Sequence, residues 1–459
     1  MTFVKENKST LLLVAITVFL YFFFGYTLER TQFLKFLGIY TVLFSTYFYF
    51  IKKNYNNVQF LLGISILFRL VFIFSTPNLS QDFYRFIWDG RMVLEGLNPY
   101  LSLPEIVVNQ LSFPINQALD LYAGMGELNG SHYTNYPPIN QLCFLIAAVF
   151  ANKSIIGSVV VLRLLIIFAD VGIFYFGKKI LEHLKMPVHT IFWYLLNPFI
   201  IIEMTGNLHF EPVMLFFLVW AIYLLFKNKW VWAAVLIACS IAVKLIPFLF
   251  LPLFFQWFVK RDSSLKKGFL KLIAFYAIVI GITTLLFLPF YSNELIENYS
   301  KSVGLWFRTF EFNASFYYIF REIGYLFRGY NEIEIIGKII PVLTILFVGY
   351  ITFFRKNATP KQLITALLFG LSFYYFTTTT MHPWYLATLL LLSIFTKYRF
   401  PIVWSFVIIL SYAAYSNEIY KENLLLIGIE YILVYGFLIW EIFIKKNKYR
   451  LTYFLYFVV

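Results

Sequence analysis

Long apolar runs alternate with short polar breaks along nearly the whole chain. A membrane-crossing helix needs about 20 predominantly apolar residues, within a range of about 17 to 25. The pattern predicts spans near 10–26, 33–51, 58–76, 155–177, 190–205, 209–226, 230–243, 245–259, 269–290, 335–354, 362–376, 384–396, 400–415 and 424–444. The expected fold is all-α, a polytopic membrane bundle of about 13–14 transmembrane helices forming one integral-membrane unit over 1–459. One long polar break interrupts it, and the apolar stretch Ile139–Ala151 that follows, about 13 residues, is too short to cross comfortably and suits an interfacial or re-entrant segment.

Composition agrees with the pattern. Of 459 residues, 61% are apolar and 13% charged, against about 25% charged in soluble domains. The net charge of +14 could suggest nucleic acid, but the basic residues sit as short clusters between apolar runs, as cytoplasmic loops do, so no nucleic-acid partner is expected. Lys5 and Lys8, Lys52 and Lys53, Lys178–Lys185, Lys227 and Lys229, Lys260–Lys271, Arg355–Lys361, Lys397 and Arg399, and Lys445–Arg450 share one side if Ile139–Ala151 does not cross. That parity places 77–154 and 291–334 outside as two large loops, with short outer turns at Gly206–Pro212 and Thr377–Pro383. The expected location is the cytoplasmic membrane, with the site on its extracytoplasmic side. Leu11–Phe24 resembles a signal peptide, but no small-residue cleavage site follows, so it is read as a first span. Cys143 and Cys239 both lie in apolar runs and suggest no disulfide framework.

The densest chemistry lies in Ser80–Tyr100, S-Q-D-F-Y-R-F-I-W-D-G-R-M-V-L-E-G-L-N-P-Y. If Asp82–Glu95 is helical, a seven-residue separation brings Asp82 and Asp89 to within about 20° of each other around the axis, with about 10.5 Å of rise between them. Phe83, Tyr84, Phe86 and Trp88 predict an interfacial helix with its rings at the headgroup level. Gly96, Asn98 and Pro99 should end it. A plain alternative has Asp82 capping the helix and pairing with Arg85, and Asp89 pairing with Arg85 or Arg91 as surface ion pairs.

This stretch resembles the first outer loop of C-type glycosyltransferases, multi-span enzymes that take a sugar from a polyprenyl-phosphate donor. It is similar above all to the mannosyltransferases among them, in which D-x-Y-R-Y-x-W-D-G-R precedes G-x-N-P-Y; Phe83 and Phe86 are the main departures. Further resemblance follows in order: N-Y-P-P at Asn135–Pro138, N-P at Asn197–Pro198, G-N-L-H-F-E-P at Gly206–Pro212, K-L-I-P at Lys244–Pro247 and M-H-P-W-Y-L at Met381–Leu386. Together these motifs cover most of 58–396, leaving the first two spans as an apparent accessory addition.

The resemblance implies inverting transfer of a hexose, mannose in particular, to a glycan or glycolipid acceptor. Asp82 is then the candidate base, since a carboxylate within about 2.6–3.2 Å of a hydroxyl can deprotonate it. Asp89 would orient the acceptor or support the base. Tyr84, Arg85, Trp88, Arg91, Asn98, Tyr136, His209, Glu211, Lys244, His382 and Trp384 are the candidate substrate contacts. Lys244 could contact the lipid phosphate or simply snorkel to the interface. His209, Glu211 and His382 superficially offer metal ligands, but their spacing matches no zinc motif and hydrogen bonding is the better reading. No cofactor is expected, because no phosphate-binding glycine loop occurs.

Two further features have plainer readings. Arg163 and Asp170, seven residues apart in one span, are expected to form an internal ion pair, with Arg163 a weaker phosphate candidate. Trp306, Arg308, Phe310, Tyr317, Tyr318, Arg321 and Arg328 in the second outer loop could form an acceptor lid, although such mixtures are common at membrane interfaces. A flippase or transporter for lipid-linked glycans, or a polymerase or ligase using an oligosaccharide donor, would also have many spans and an acidic outer site.

Overall fold

The computed structural model describes residues 8–110, 113–308, 310–417 and 420–444, with the side chains of 306–308 excepted. Lys5, the side chains of Trp306 and Arg308, and the basic cluster Lys445–Arg450 therefore lie outside the described residues. The architecture is an all-helical bundle. Among the described residues, six helices are long and apolar enough to cross a membrane unaided: Lys8–Thr27, Phe33–Lys53, Ile155–His183, Leu265–Phe290, Ile333–Phe354 and Leu424–Ile444. The chain is a multi-pass membrane protein. The other predicted spans are helices too: Pro360–Thr377 and Phe400–Ser416 fill their predicted lengths, whereas Val58–Leu70, Glu211–Phe226, Trp230–Ile241, Ile246–Val259 and Pro383–Ile394 are shorter than the sequence pattern suggests. Breaks and turns consume the ends of their apolar runs.

The predicted span 190–205 is instead a pair of half-helices, Val188–Leu195 and Ile200–Gly206, bent by 60°. Pro198 lacks an amide hydrogen, and the Asn197 side chain accepts from Phe199 N at 3.0 Å, so helix continuation is replaced by a local turn. Backbone groups freed at such a break need partners, because lipid supplies none. Two buried arginines provide them. Arg69 Nη1 donates to Leu195 O at 2.7 Å, at the end of the first half, and Arg163 donates to Thr205 O at 2.8 Å and Gly206 O at 2.9 Å, at the end of the second. A cation at the carbonyl end of a helix also opposes its dipole.

These contacts correct the expected pairing of Arg163 with Asp170. Asp170 accepts instead from Arg69 Nε at 2.7 Å, across two helices, while Arg163 is occupied by carbonyls, including Ile73 O at 2.9 Å. Seven residues along a helix separate two side chains by about 10.5 Å of rise, further than they can bridge when nearer partners exist.

The helix Asp82–Leu94 forms as expected and ends at Gly96, whose φ of 73° permits the reversal in which Leu97 N donates to Met92 O at 2.8 Å. Its aromatic residues depart from the interfacial expectation. Phe83, Phe86 and Trp88 are all buried, because the helix Pro138–Ala151 packs over the Phe86 face while the loop carrying Phe113 covers Trp88. Phe86 stacks on Phe144 with ring centres 4.7 Å apart, and Trp88 stacks on Phe113 at 5.3 Å. Gly90 permits the approach: a Cβ there would lie 2.2 Å from Phe144 O. Gly90→Ala is expected to separate the two helices and destabilise the protein by about 1–3 kcal/mol, read as a lowered unfolding midpoint of the purified protein.

Candidate active site

The segment entering the motif helix is held from outside it. Asn207, in the turn after the bent span, accepts from Asn78 N at 3.1 Å and Leu79 N at 2.8 Å and donates to Ile202 O at 3.0 Å. A second tie comes from the helix Ala118–Gly130, where Gln81 Nε2 reaches Met125 O at 3.0 Å and Asn129 Nδ2 donates to Asp82 Oδ1 at 3.3 Å. Asp82 is thereby fixed at the first turn of its helix. Burial pushes its carboxyl above the ordinary aspartate range, while the Asn129 hydrogen bond and the nearby Lys244 ammonium pull the other way.

Asp82 lines a cavity of about 1140 Å³. Tyr136, His209, Lys244, His382 and Trp384 share its wall, so five candidate contacts meet the candidate base although they come from four separate motifs. Lys244 stands where the helix Trp230–Ile241 ends. The carbonyls of Ala242 and Val243 released there accept from Ile139 N at 2.9 Å and Asn140 Nδ2 at 3.0 Å, which explains why N-Y-P-P and K-L-I-P act together. Lys244 neither snorkels freely nor stands alone, because its Nζ donates to the buried Glu211 carboxylate. An ammonium has three donors, so two remain for a ligand.

His209, Trp384 and His382 form a three-ring stack, with the indole 4.0 Å from the first imidazole and 4.4 Å from the second. Burial, followed by Lys244, holds His209 well below the usual histidine range and His382 at about 3, so both rings are neutral at pH 7. They can hydrogen-bond but do not add positive charge. Among the described residues, no group of three or more His, Cys, Asp or Glu side chains is arranged to hold a metal ion.

The remaining sequence candidates stand behind this wall. Asp89 is fully buried, accepting from Arg85 Nε at 2.8 Å, Thr134 Oγ1 at 2.5 Å and Gln141 Nε2 at 3.0 Å. The expected Asp89–Arg85 pair is thus present, but as a core contact rather than a surface one. Arg85 also donates to the carbonyls of Asn129 and His132, anchoring the segment that carries Asn129. Arg91 is buried and donates to Asn116 O and Gln117 Oε1. Tyr84 faces Gly124, Trp88 is packed on Phe113, and Glu211 reaches the cavity only through Lys244. Asn98 donates to Phe290 O at 2.8 Å, tying the end of the motif to the start of the second loop.

Other cavity residues carried little or no signal in the sequence. Asn129 lies in an unremarkable polar stretch. Arg30, from the hairpin between the first two helices, lies over the Tyr415 ring at 5.1 Å and lines the cavity, so those helices contribute directly to the site. From the second loop come Phe310 and Arg321, both named as lid candidates from the sequence, together with Glu311 and Phe312, which were not. This loop is secured by a bridge between Phe312 and Thr380 and by Arg321 Nη1 donating to Glu311 Oε1 at 2.7 Å. Tyr317 and Tyr318 are buried supports rather than an open platform.

The helical bundle and its ordered motifs place the chain in the class of C-type integral-membrane glycosyltransferases. Within it, the chain belongs to the family described as "Alpha-(1->6)-mannopyranosyltransferase, N-terminal domain", whose model matches residues 13–260. The match includes Asp82 and Lys244 and begins inside the first helix, so the first two spans are part of the family region rather than an addition to it. The chain is also 25% identical over 221 residues, 48% of its length, to Alpha-(1->6)-mannopyranosyltransferase A of Mycobacterium tuberculosis (strain ATCC 25618 / H37Rv). That match covers 40% of the relative, so the chain spans well under two thirds of its length.

Proposed function

We propose that the chain is an inverting transferase that moves mannose from a polyprenyl-phosphate donor to a hydroxyl of a glycan or glycolipid. The reaction is placed on the extracytoplasmic face, and the chain is read as one unit with 58–396 as its core. The observation that carries this reading is the joining of Asp82 and Lys244 in one cavity that is also lined by the apolar side chains of Leu245, Ile246, Leu249, Pro341 and Ile345. A prenyl chain would lie along these side chains while the phosphate approaches Lys244.

In this reading Asp82 accepts the acceptor hydroxyl's proton as the oxygen attacks the anomeric carbon. The bond between that carbon and the phosphate oxygen breaks on the opposite side, inverting the centre, and the electron pair leaves with the polyprenyl phosphate. Lys244 opposes the charge growing there. The edge of the His209–Trp384–His382 stack, whose indole faces are covered by the two imidazoles, lies beside the sugar. Asp89 acts through Arg85, which holds the Asn129 segment against Asp82.

A transporter needs charged groups along a path through the membrane. The buried charges Arg69, Asp170 and Arg163 are instead used by one another and by the carbonyls of the bent span. The direct test supplies purified protein in nanodiscs with radiolabelled polyprenyl-phosphate mannose and a series of glycan and glycolipid acceptors. Label transferred to an acceptor supports the proposal; vesicle translocation without transfer, or use of oligosaccharide donors alone, overturns it.

The raised pKa of Asp82 gives a pH signature. The base must be ionised, so transfer is expected to fall as pH drops through a value above the ordinary aspartate range of about 3.9. Asn129→Ala removes the hydrogen bond that favours the ionised form, and should move this acid limb to higher pH in a pH–rate profile.

A further inference from the structure

The bent span carries a carboxyl group that the proposed transfer leaves unused. Glu203 lies in the π-helical half Ile200–Gly206 and is fully buried. Departures of this kind from α-helical geometry are frequent at functional sites. Tyr412 OH donates to its Oε1 at 2.5 Å. Oε2 has no hydrogen-bond partner, and it faces His209 Nε2 at 3.7 Å, which has none either. Buried polar atoms are nearly always paired. Two unpaired atoms facing one another therefore mark an interaction that closes by a small movement.

Their location gives that interaction a direction. His209 lines the cavity, stacks on Trp384 and follows Leu208, whose φ of 62° turns the backbone sharply before the imidazole. One ring nitrogen thus faces the carboxyl inside the bundle, leaving the other for the cavity. The proton count follows from burial. The imidazole is neutral and holds one proton. An ionised carboxylate at Glu203 would have no cation in contact, and such a charge is strongly disfavoured there. The carboxyl therefore keeps its proton, and a carboxylic acid donating to Nε2 leaves the ring proton on Nδ1.

We propose that Glu203 is a positioning residue whose neutral carboxyl donates to His209 Nε2 in the occupied site, fixing the tautomer whose Nδ1–H is offered to an oxygen of the ligand. No proton is gained or lost by the pair. The acceptor oxygen belongs to a sugar hydroxyl or to the donor phosphate, both of which are hydrogen-bond acceptors. The kinetic consequence rests on the transfer reaction proposed above, whereas the tautomer itself does not.

The test uses the full chain with ¹⁵N-labelled histidine, the His209 signal being assigned by its loss in His209→Asn. Wild type and Glu203→Gln, whose amide also donates, should show the Nδ1–H tautomer in the ligand-bound protein, and Glu203→Ala a mixture. Undecaprenyl phosphate and methyl mannoside serve as separate probes; the one that locks and shifts the Nδ1 resonance identifies the ligand oxygen. In transfer assays Glu203→Ala should lower kcat/KM by about tenfold and Glu203→Gln by no more than about threefold. The Glu203→Ala, His209→Asn double variant should be no more impaired than His209→Asn alone, since Glu203 acts only through His209. An imidazolium signal, an unchanged tautomer in Glu203→Ala, or a glutamine variant as impaired as the alanine one would overturn the assignment. Wild type that fixes the tautomer but transfers no sugar would sink the transferase reading alone.

Discussion

Asp82→Asn is expected to lower mannosyl transfer by about a thousandfold while the protein remains folded. General-base catalysis contributes about 10²–10⁴ in rate, and the amide has no comparable basicity while keeping nearly the same shape. The fold should tolerate the change because burial raises the Asp82 pKa, so its ionised form costs stability above the folded pKa. A neutral amide removes that cost. Thermal unfolding of Asp82→Asn should therefore occur at or above the wild-type midpoint at pH 7. Retained transfer with an intact melting curve would exclude Asp82 as the base. The melting curve belongs in the same experiment because it separates loss of chemistry from loss of fold.

The second large effect concerns stability rather than turnover. Asp170→Ala should destabilise the protein by about 3–5 kcal/mol, because it leaves the Arg69 guanidinium buried without its carboxylate. The same arginine donates to Leu195 O, so the disturbance should reach the bent span and, through it, the turn holding His209. Replacing both partners together, as Arg69→Met with Asp170→Leu, should recover much of the loss by removing the buried charge. Denaturation midpoints of the three variants provide the check. Equal destabilisation in the double variant would mean that the arginine–carbonyl bond, rather than the ion pair, is the larger contributor.

Together these expectations separate two uses of buried charge in the bundle. Asp82 and Lys244 reach a cavity and remain available to a ligand. Arg69, Asp170 and Arg163 are consumed in holding a helix that proline has interrupted. Sequence spacing does not distinguish the two groups: Arg163 and Lys244 are both lone basic residues beside apolar runs. Their different surroundings arise from neighbours that are distant along the chain.

Composition and local pattern alone put this chain in a membrane, because no soluble core could bury so many apolar residues, and gather its polar chemistry around Asp82–Tyr100. They also set where the motif helix starts and stops, since helix periodicity and the glycine turn act over only a few residues. Tertiary structure decided which polar groups share a cavity. It buried Trp88 and Arg91 against the segment from Phe113 to Gln117, gave Asp170 to Arg69, and brought Lys244 and Trp384 to Asp82. It also brought in Arg30 and Glu203, whose local sequence carries no mark of the site. The physical reason is range: local patterning fixes the conformation of each segment, while hydrogen-bond satisfaction in a water-poor interior depends on whichever distant groups packing places within about 3 Å.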